Sequence, residues 1–165
     1  MSLAVTPDGQ HIISGSKDTL VKVWSVATKS LVSTCEGHIS ARAWTSDWIR
    51  AVAAMPDGQR FLSGGSNPYS ASDNTVRVWR LNGTLQNFFK LHKHEVNALV
   101  ALPDNQHALS GSGDTTIELF NVNDGAVVRT FTHHTGPVFS LALLPDGLRF
   151  VSGSHDKTTR IVEIW

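Results

Sequence analysis

An all-β chain of four repeated units is what this sequence predicts, and three observations predict it. A turn sequence recurs four times, as Pro7-Asp8-Gly9, Pro56-Asp57-Gly58, Pro103-Asp104-Asn105 and Pro145-Asp146-Gly147, at spacings of 49, 47 and 42 residues. A serine followed by glycine stands seven residues after each of those prolines, at Ser14, Ser63, Ser110 and Ser152. The segments between are short apolar or β-branched runs, and none keeps a helical period for three turns.

Each unit divides into strands in the same order. Strand a is apolar and small, at residues 3–5, 51–54, 98–101 and 141–143. The Pro-Asp-Gly turn follows: proline presets φ, and glycine or asparagine tolerates positive φ. Strand b ends at the serine, covering residues 12–14, 61–63, 108–110 and 150–152. An aspartate comes four residues after the serine in three units (Asp18, Asp114, Asp156) and ten after it in the second (Asp73). Six residues after each aspartate stands a large apolar residue, Trp24, Trp79, Phe120 or Val162, which closes strand c. Strand d follows in three units, at residues 31–35, 85–89 and 127–131. Four short antiparallel strands per repeat describe a β-propeller blade. The predicted blades are residues 1–37, 38–91, 92–133 and 134–165, the last without its outer strand.

Composition narrows the class. Of 165 residues, 41% are apolar and 17% charged, which excludes a disordered chain. The 14 basic and 14 acidic side chains cancel and form no basic run, so the electrostatic footprint of a nucleic-acid binder is absent. One cysteine, Cys35, allows no internal disulfide and fits a reducing compartment. No apolar stretch reaches the roughly 18 residues that cross a bilayer, and the first residues carry no secretory pattern. The expectation is a cytoplasmic or nuclear protein that contacts neither membrane nor nucleic acid.

These landmarks resemble those of the WD-repeat β-propellers over nearly the whole chain. That family's repeat carries Gly-His, then Pro-Asp-Gly, then Ser-Gly-Ser-x-Asp, then a strand ending in Trp-Asp. Gly37-His38 matches the dipeptide; His92 and His134 stand eleven residues before their prolines, with Leu91 and His133 in place of glycine. Trp24 and Trp79 match the tryptophan, while Phe120 and Val162 depart from it. The resemblance implies a buried His–Ser–Asp–Trp network in each blade. The sets would be His38, Ser63, Asp73 and Trp79; His92, Ser110 and Asp114; His134, Ser152 and Asp156; and, without a histidine, Ser14, Asp18 and Trp24. Aspartate accepts, histidine relays, and tryptophan donates only through its indole N–H. The networks lacking tryptophan should end at serine.

A Ser–His–Asp set also suggests a hydrolase. These sets recur blade after blade, the tryptophan accounts for the serine, and no Gly-x-Ser-x-Gly elbow exists. No catalytic residue is therefore assigned. The histidine groups 92–94 and 133–134 lack the cysteine or acidic companions of a metal site, so neither a metal nor a cofactor is expected.

The second unit is longer than the others. His38 precedes its proline by eighteen residues rather than eleven, which places seven extra residues around 39–45. Six more fall around 67–72. In the family's topology both loops emerge on one face. They carry Arg42, Trp44, Asn67 and Tyr69, with Trp48 close by, and Arg, Trp and Tyr are enriched at binding hot spots. These five are the candidate partner-binding residues, against the alternative that Trp44 folds back as a lid.

The resemblance implies a scaffold or adaptor that holds other proteins or peptides within a complex. A recognition subunit for modified peptides, ubiquitin- or chromatin-linked, is the alternative, and a propeller enzyme is less favoured. The family's rings usually hold about seven or eight blades. An incomplete, open propeller is expected, a fragment rather than a strained four-blade ring or half of a ring shared by two chains. Its bare blade faces would favour self-association.

Overall fold

The computed structural model describes residues 1–38, 48–66 and 73–165. The described residues form fifteen strands and no helix, so no helix is long and apolar enough to cross a membrane. The first sheet holds β1 (Ser2–Val5), β2 (His11–Gly15), β3 (Val21–Ser25) and β4 (Leu31–Cys35), hydrogen-bonded in that order. The second holds β5 (Trp48–Ala54), β6 (Arg60–Ser66), β7 (Val76–Arg80) and β8 (Leu85–Phe89). The third holds β9 (Val96–Ala101), β10 (His107–Ser112), β11 (Ile117–Asn121) and β12 (Val127–Phe131). The fourth has three strands, β13 (Val138–Leu143), β14 (Arg149–Ser154) and β15 (Thr159–Glu163). Every pairing is antiparallel. The sheets stack in sequence as the blades of an open propeller.

The Pro-Asp-Gly segments close the first hairpin of each blade. The residue before each proline (Thr6, Met55, Leu102 and Leu144) donates its N–H across the turn to His11, Arg60, His107 and Arg149. Gly9, Gly58, Asn105 and Gly147 all stand at φ between 60° and 69°, the left-handed region that excludes most side chains. Each turn aspartate accepts a backbone N–H two residues on, at 2.8–2.9 Å, which fixes the turn locally.

First strands run further toward their N-terminal ends than the apolar pattern suggests. In blades 2–4 they continue across a β-bulge, where the register passes over Arg50, Asn97 and Phe139 and resumes at Ile49, Val96 and Val138. Those three β-branched residues explain the glycine of the Ser-Gly pair. A Cβ on Gly64 would lie 2.7 Å from Cγ1 of Val96, and one on Gly111 2.8 Å from Cγ1 of Val138. Gly15 faces Ile49 even more closely. Each glycine is thus a socket into which the next blade inserts a branched side chain.

Three apolar cores lie between successive blades. Ile13, Val23, Phe61 and Trp79 belong to the first, Leu62, Val78 and Phe120 to the second, and Leu109, Leu119 and Phe150 to the third. Burial of these side chains is the main stabilising contribution, each worth roughly 1.5–3 kcal/mol relative to exposure.

Candidate functional site

Two regions compete as the site: the buried polar networks, and the loop face of the second blade. In the second blade the network is complete. The Trp79 indole N–H donates to Ser63 Oγ at 2.8 Å, and Ser63 Oγ lies 2.7 Å from His38 Nε2. His38 Nδ1 lies 2.8 Å from Asp73 Oδ2. The Asp73 carboxylate can only accept, so the proton of the neutral ring sits on Nδ1, and Nε2 accepts from the serine hydroxyl, which in turn accepts from the tryptophan. Arg77 approaches the same Asp73 oxygen at 3.5 Å.

Blades 3 and 4 repeat this without tryptophan. His92 Nε2 is 2.7 Å from Ser110 Oγ, and Nδ1 is 3.1 Å from Asp114 Oδ2. His134 makes the same contacts with Ser152 and Asp156, both at 2.8 Å. Phe120 and Val162 offer no donor, so these chains stop at serine. In blade 1, Trp24 donates to Ser14 at 2.9 Å, but Asp18 stays outside the set. It accepts the Leu20 N–H and lies 3.8 Å from Lys22. With no histidine to bridge the gap, its carboxylate turns to the loop and to solvent.

A threonine two residues after the aspartate completes each full network. Thr116 and Thr158 donate to Asp114 and Asp156 at 2.6 Å, and Thr75 does the same to Asp73. Asp-x-Thr at 73–75, 114–116 and 156–158, against Leu20 in blade 1, was the available signal. Burial pushes the Asp73 carboxyl up, yet hydrogen bonds from His38 and Thr75 outweigh it and hold the group below its ordinary value of 3.8. Asp114 is held lower still by His92, Thr116 and the Lys93 N–H against the same opposing burial, and Asp156 chiefly by Thr158. Burial drives His38 down from 6.5, favouring the neutral ring. The hydrolase-like geometry has no access to substrate: Ser63, Ser110 and Ser152 are 0–1% exposed.

The loop face differs in chemistry. Arg42, Trp44, Asn67 and Tyr69 lie outside the described residues. Trp48 belongs to strand β5 and opens it. The neighbouring Ile49 N–H bonds to the Ser16 carbonyl at 3.0 Å, which ties this strand to the loop of blade 1. That tie carries Lys17 to the indole: its Nζ stands 4.1 Å from the ring centroid of Trp48, and Arg50 Cζ stands 5.5 Å from it. Two cations on one aromatic ring form a cation–π cluster. Neither cation was singled out from the sequence, because Lys17 comes from a different blade and Arg50 occupies a bulge.

The four repeats, their shared turn and their networks can be set against known proteins. The family profile described as "WD domain, G-beta repeat" matches residues 1–25, 29–80, 83–121 and 125–163. The chain belongs to the WD-repeat family. Its relatives include nuclear distribution protein nudF 1 of Talaromyces marneffei, 29% identical over 136 residues, covering 81% of this chain and 27% of that protein. Nuclear distribution protein PAC1 of Coccidioides posadasii is 27% identical over 151 residues, covering 76% and 28%. Apoptotic protease-activating factor 1 of Mus musculus is 29% identical over 132 residues, covering 80% and 9%. The chain therefore spans little more than a quarter of the nuclear distribution proteins it matches. WD-repeat proteins generally act as protein-interaction scaffolds.

Proposed function

We propose that this chain is a scaffold or adaptor that docks proteins or peptides on the loop face of its second blade. The observation that carries the reading is the cluster of Lys17, Trp48 and Arg50, which stands where the two inserted segments join the sheet. An aromatic side chain flanked by cations offers the large, rigid contact area typical of interface anchors. Arg42, Trp44, Asn67 and Tyr69 would extend that surface. The docking reading requires no catalysis, cofactor or metal, and a cytoplasmic or nuclear location suits it. Recognition of a modified peptide is a narrower version of the same activity.

A second reading rests on exposed apolar surface at the two ends of the arc. Leu3, Val5, Ile161 and Phe139 are exposed there, and a second copy of the chain would cover them by stacking blade on blade.

The test of the docking site removes both insertions, deleting residues 40–44 and replacing 67–72 with a glycine-containing link. Partners captured from native extract are then compared, alongside Trp48→Ala in the intact chain. Shortened loops should cost little stability, because closure entropy changes slowly with length. The expected outcome is a lost set of partners with an unchanged melt, and for Trp48→Ala a weakening of about 1 kcal/mol or more. Retention of every partner would place the docking site elsewhere.

A further inference from the structure

On the face opposite those loops, one pair of neighbouring blades is clamped together and another is not. Between blades 2 and 3, Arg60 pairs with Asp57 through Nε at 2.6 Å, and its other two nitrogens cross to blade 3. They donate to Asn123 Oδ1 at 3.2 Å and to the Asn105 carbonyl at 3.0 Å. The Asn105 side chain closes the circle, accepting the Asp57 N–H at 3.2 Å and donating to Asp57 Oδ2 at 3.1 Å. These four bonds fix the angle between the two sheets, because a hydrogen bond weakens steeply when bent.

Blades 1 and 2 meet on the same frame without the clamp. Asp8, Gly58 and Asn82 occupy the places of Asp57, Asn105 and Asn123, but the arginine position is His11. Its buried Nδ1 has no hydrogen-bond partner, and Gly58 has no side chain to send back to Asp8. Arg80 turns to its own blade, where the Gln86 amide oxygen accepts from Nε and Nη2 at 3.0 and 3.2 Å. In place of the clamp lies a cleft of about 760 Å³, with His11, Val32, Arg60, Leu81 and Asn82 on its walls. The opposite edge of this junction is fastened: the Ile49 N–H bonds to the Ser16 carbonyl at 3.0 Å, and Lys17 lies over Trp48. Between the two edges stand the apolar contacts of Ile13, Val23, Phe61 and Trp79, which have no preferred direction. At the rim the Ser33 hydroxyl donates to the Leu81 carbonyl at 2.7 Å, a bond that Asn87 and Asn123 repeat at the next junction.

Two packed sheets fastened along one edge and open along the other can rotate about the fastened edge. We propose that the junction between blades 1 and 2 is a hinge, on which blade 1 rocks against the clamped pair of blades 2 and 3 and so opens and closes the cleft. The hinge is independent of whether the loop face docks a partner. Its absence of a clamp comes down to two residues, His11 and Gly58. An asparagine fits at position 58: Gly58 stands at φ 66°, close to the 60° of Asn105, and a Cβ there meets nothing within 4 Å.

The test measures distances between nitroxide labels by pulsed electron resonance on the full chain, diluted with unlabelled chain so that only distances within one molecule count. Gln10, Gln59 and Gln106 are exposed and follow the turn at the same place in blades 1, 2 and 3. One sample carries Gln10→Cys with Gln59→Cys, the other Gln59→Cys with Gln106→Cys; the native Cys35 is buried and stays unlabelled. The first pair should give the broader distance distribution. Adding His11→Arg and Gly58→Asn, which copies the clamp into the first junction, should narrow it to the width of the second pair. Removing the clamp with Arg60→Met and Asn105→Gly should broaden the second pair toward the first, and this arm decides the matter if the copied clamp impairs folding in a thermal melt. Equal widths in the parent chain would overturn the proposal. So would a folded copied-clamp variant that stays broad, or a second pair that keeps its width without the clamp.

Discussion

The inner junctions of the arc and its two end faces carry the same kinds of residue in opposite surroundings. At one position of the third strand, Val23, Val78 and Leu119 are 0–1% exposed, whereas Ile161 in the last blade is 65% exposed. On the opposite sheet face, Val52 and Leu99 in the first strands are 7% and 8% exposed, and Leu3 in blade 1 is 71% exposed. Trp24 and Trp79 make the same bond to serine, but Trp79 is covered by blade 1, and Trp24 belongs to none of the three inter-blade cores among the described residues. Burial here belongs to the neighbour rather than to the residue. The roughly 25 cal/mol per Å² of hydrophobic stabilisation is gained only where a second sheet arrives.

Charged substitutions should separate the two environments most sharply. Val78→Asp would bury an unpaired carboxylate between blades 2 and 3, and the expected loss is about 4 kcal/mol or more in urea unfolding. Ile161→Asp should change that midpoint by no more than about 0.5 kcal/mol. The same variant should reduce hydrophobic-dye binding and any association seen by sedimentation, because it places charge on a bare blade face. Equal destabilisation by the two would mean that the end face is covered in solution.

Glycine sockets give a smaller contrast. In Gly64→Ala the new Cβ meets Val96 Cγ1 at 2.7 Å and the Val96 carbonyl at 3.3 Å, so sheet must move against sheet. The expected cost is about 1–3 kcal/mol. At Gly153 the corresponding Cβ meets only the Ser140 hydroxyl, which can rotate away. Gly153→Ala should therefore fall within about 0.5 kcal/mol of the parent chain. Thermal melts of the two variants provide the comparison.

Acid should produce the gentlest separation. Burial lowers the folded His38 pKa from 6.5, so the unfolded chain binds the extra proton first. His38 thus contributes stability that is fully present above pH 6.5 and is lost as pH falls below it. The aspartates of blades 2 to 4, all held below 3.8, add their own loss under stronger acid. The open pair Ser14–Trp24 contains no titratable group. Below pH 6.5 the indole N–H resonance of Trp79 should therefore respond while that of Trp24 stays fixed; a joint shift would show that the two pairs share one acid-sensitive transition.

Much of this was legible in residue order. The Pro-Asp-Gly turns, the serines and the Asp-to-aromatic spacing announce the strands because turn conformation and strand alternation are local properties. The histidine positions followed from the family resemblance and meet their serines and aspartates in the structure. Asp18 was grouped with Ser14 and Trp24 by the position the family resemblance gives it, and position could not reveal that without a histidine it faces Lys22. The candidate site was less legible: Trp48 was visible, but Lys17 reaches it from another blade.

The chain's own order determined four blades, their hairpins and the polar partners within each sheet, since those contacts depend on a period of two and on a few turn residues. Only the tertiary structure decided what happens between blades. It set Asn105 of the third turn against Asp57 of the second, with reciprocal bonds of 3.2 and 3.1 Å, where the other three turns carry glycine. It assigned a branched residue to Gly15, Gly64 and Gly111 and left His11 beside an open cleft. Such contacts join residues about one repeat apart, and the angle at which one twisted sheet lies on the next decides which of them touch.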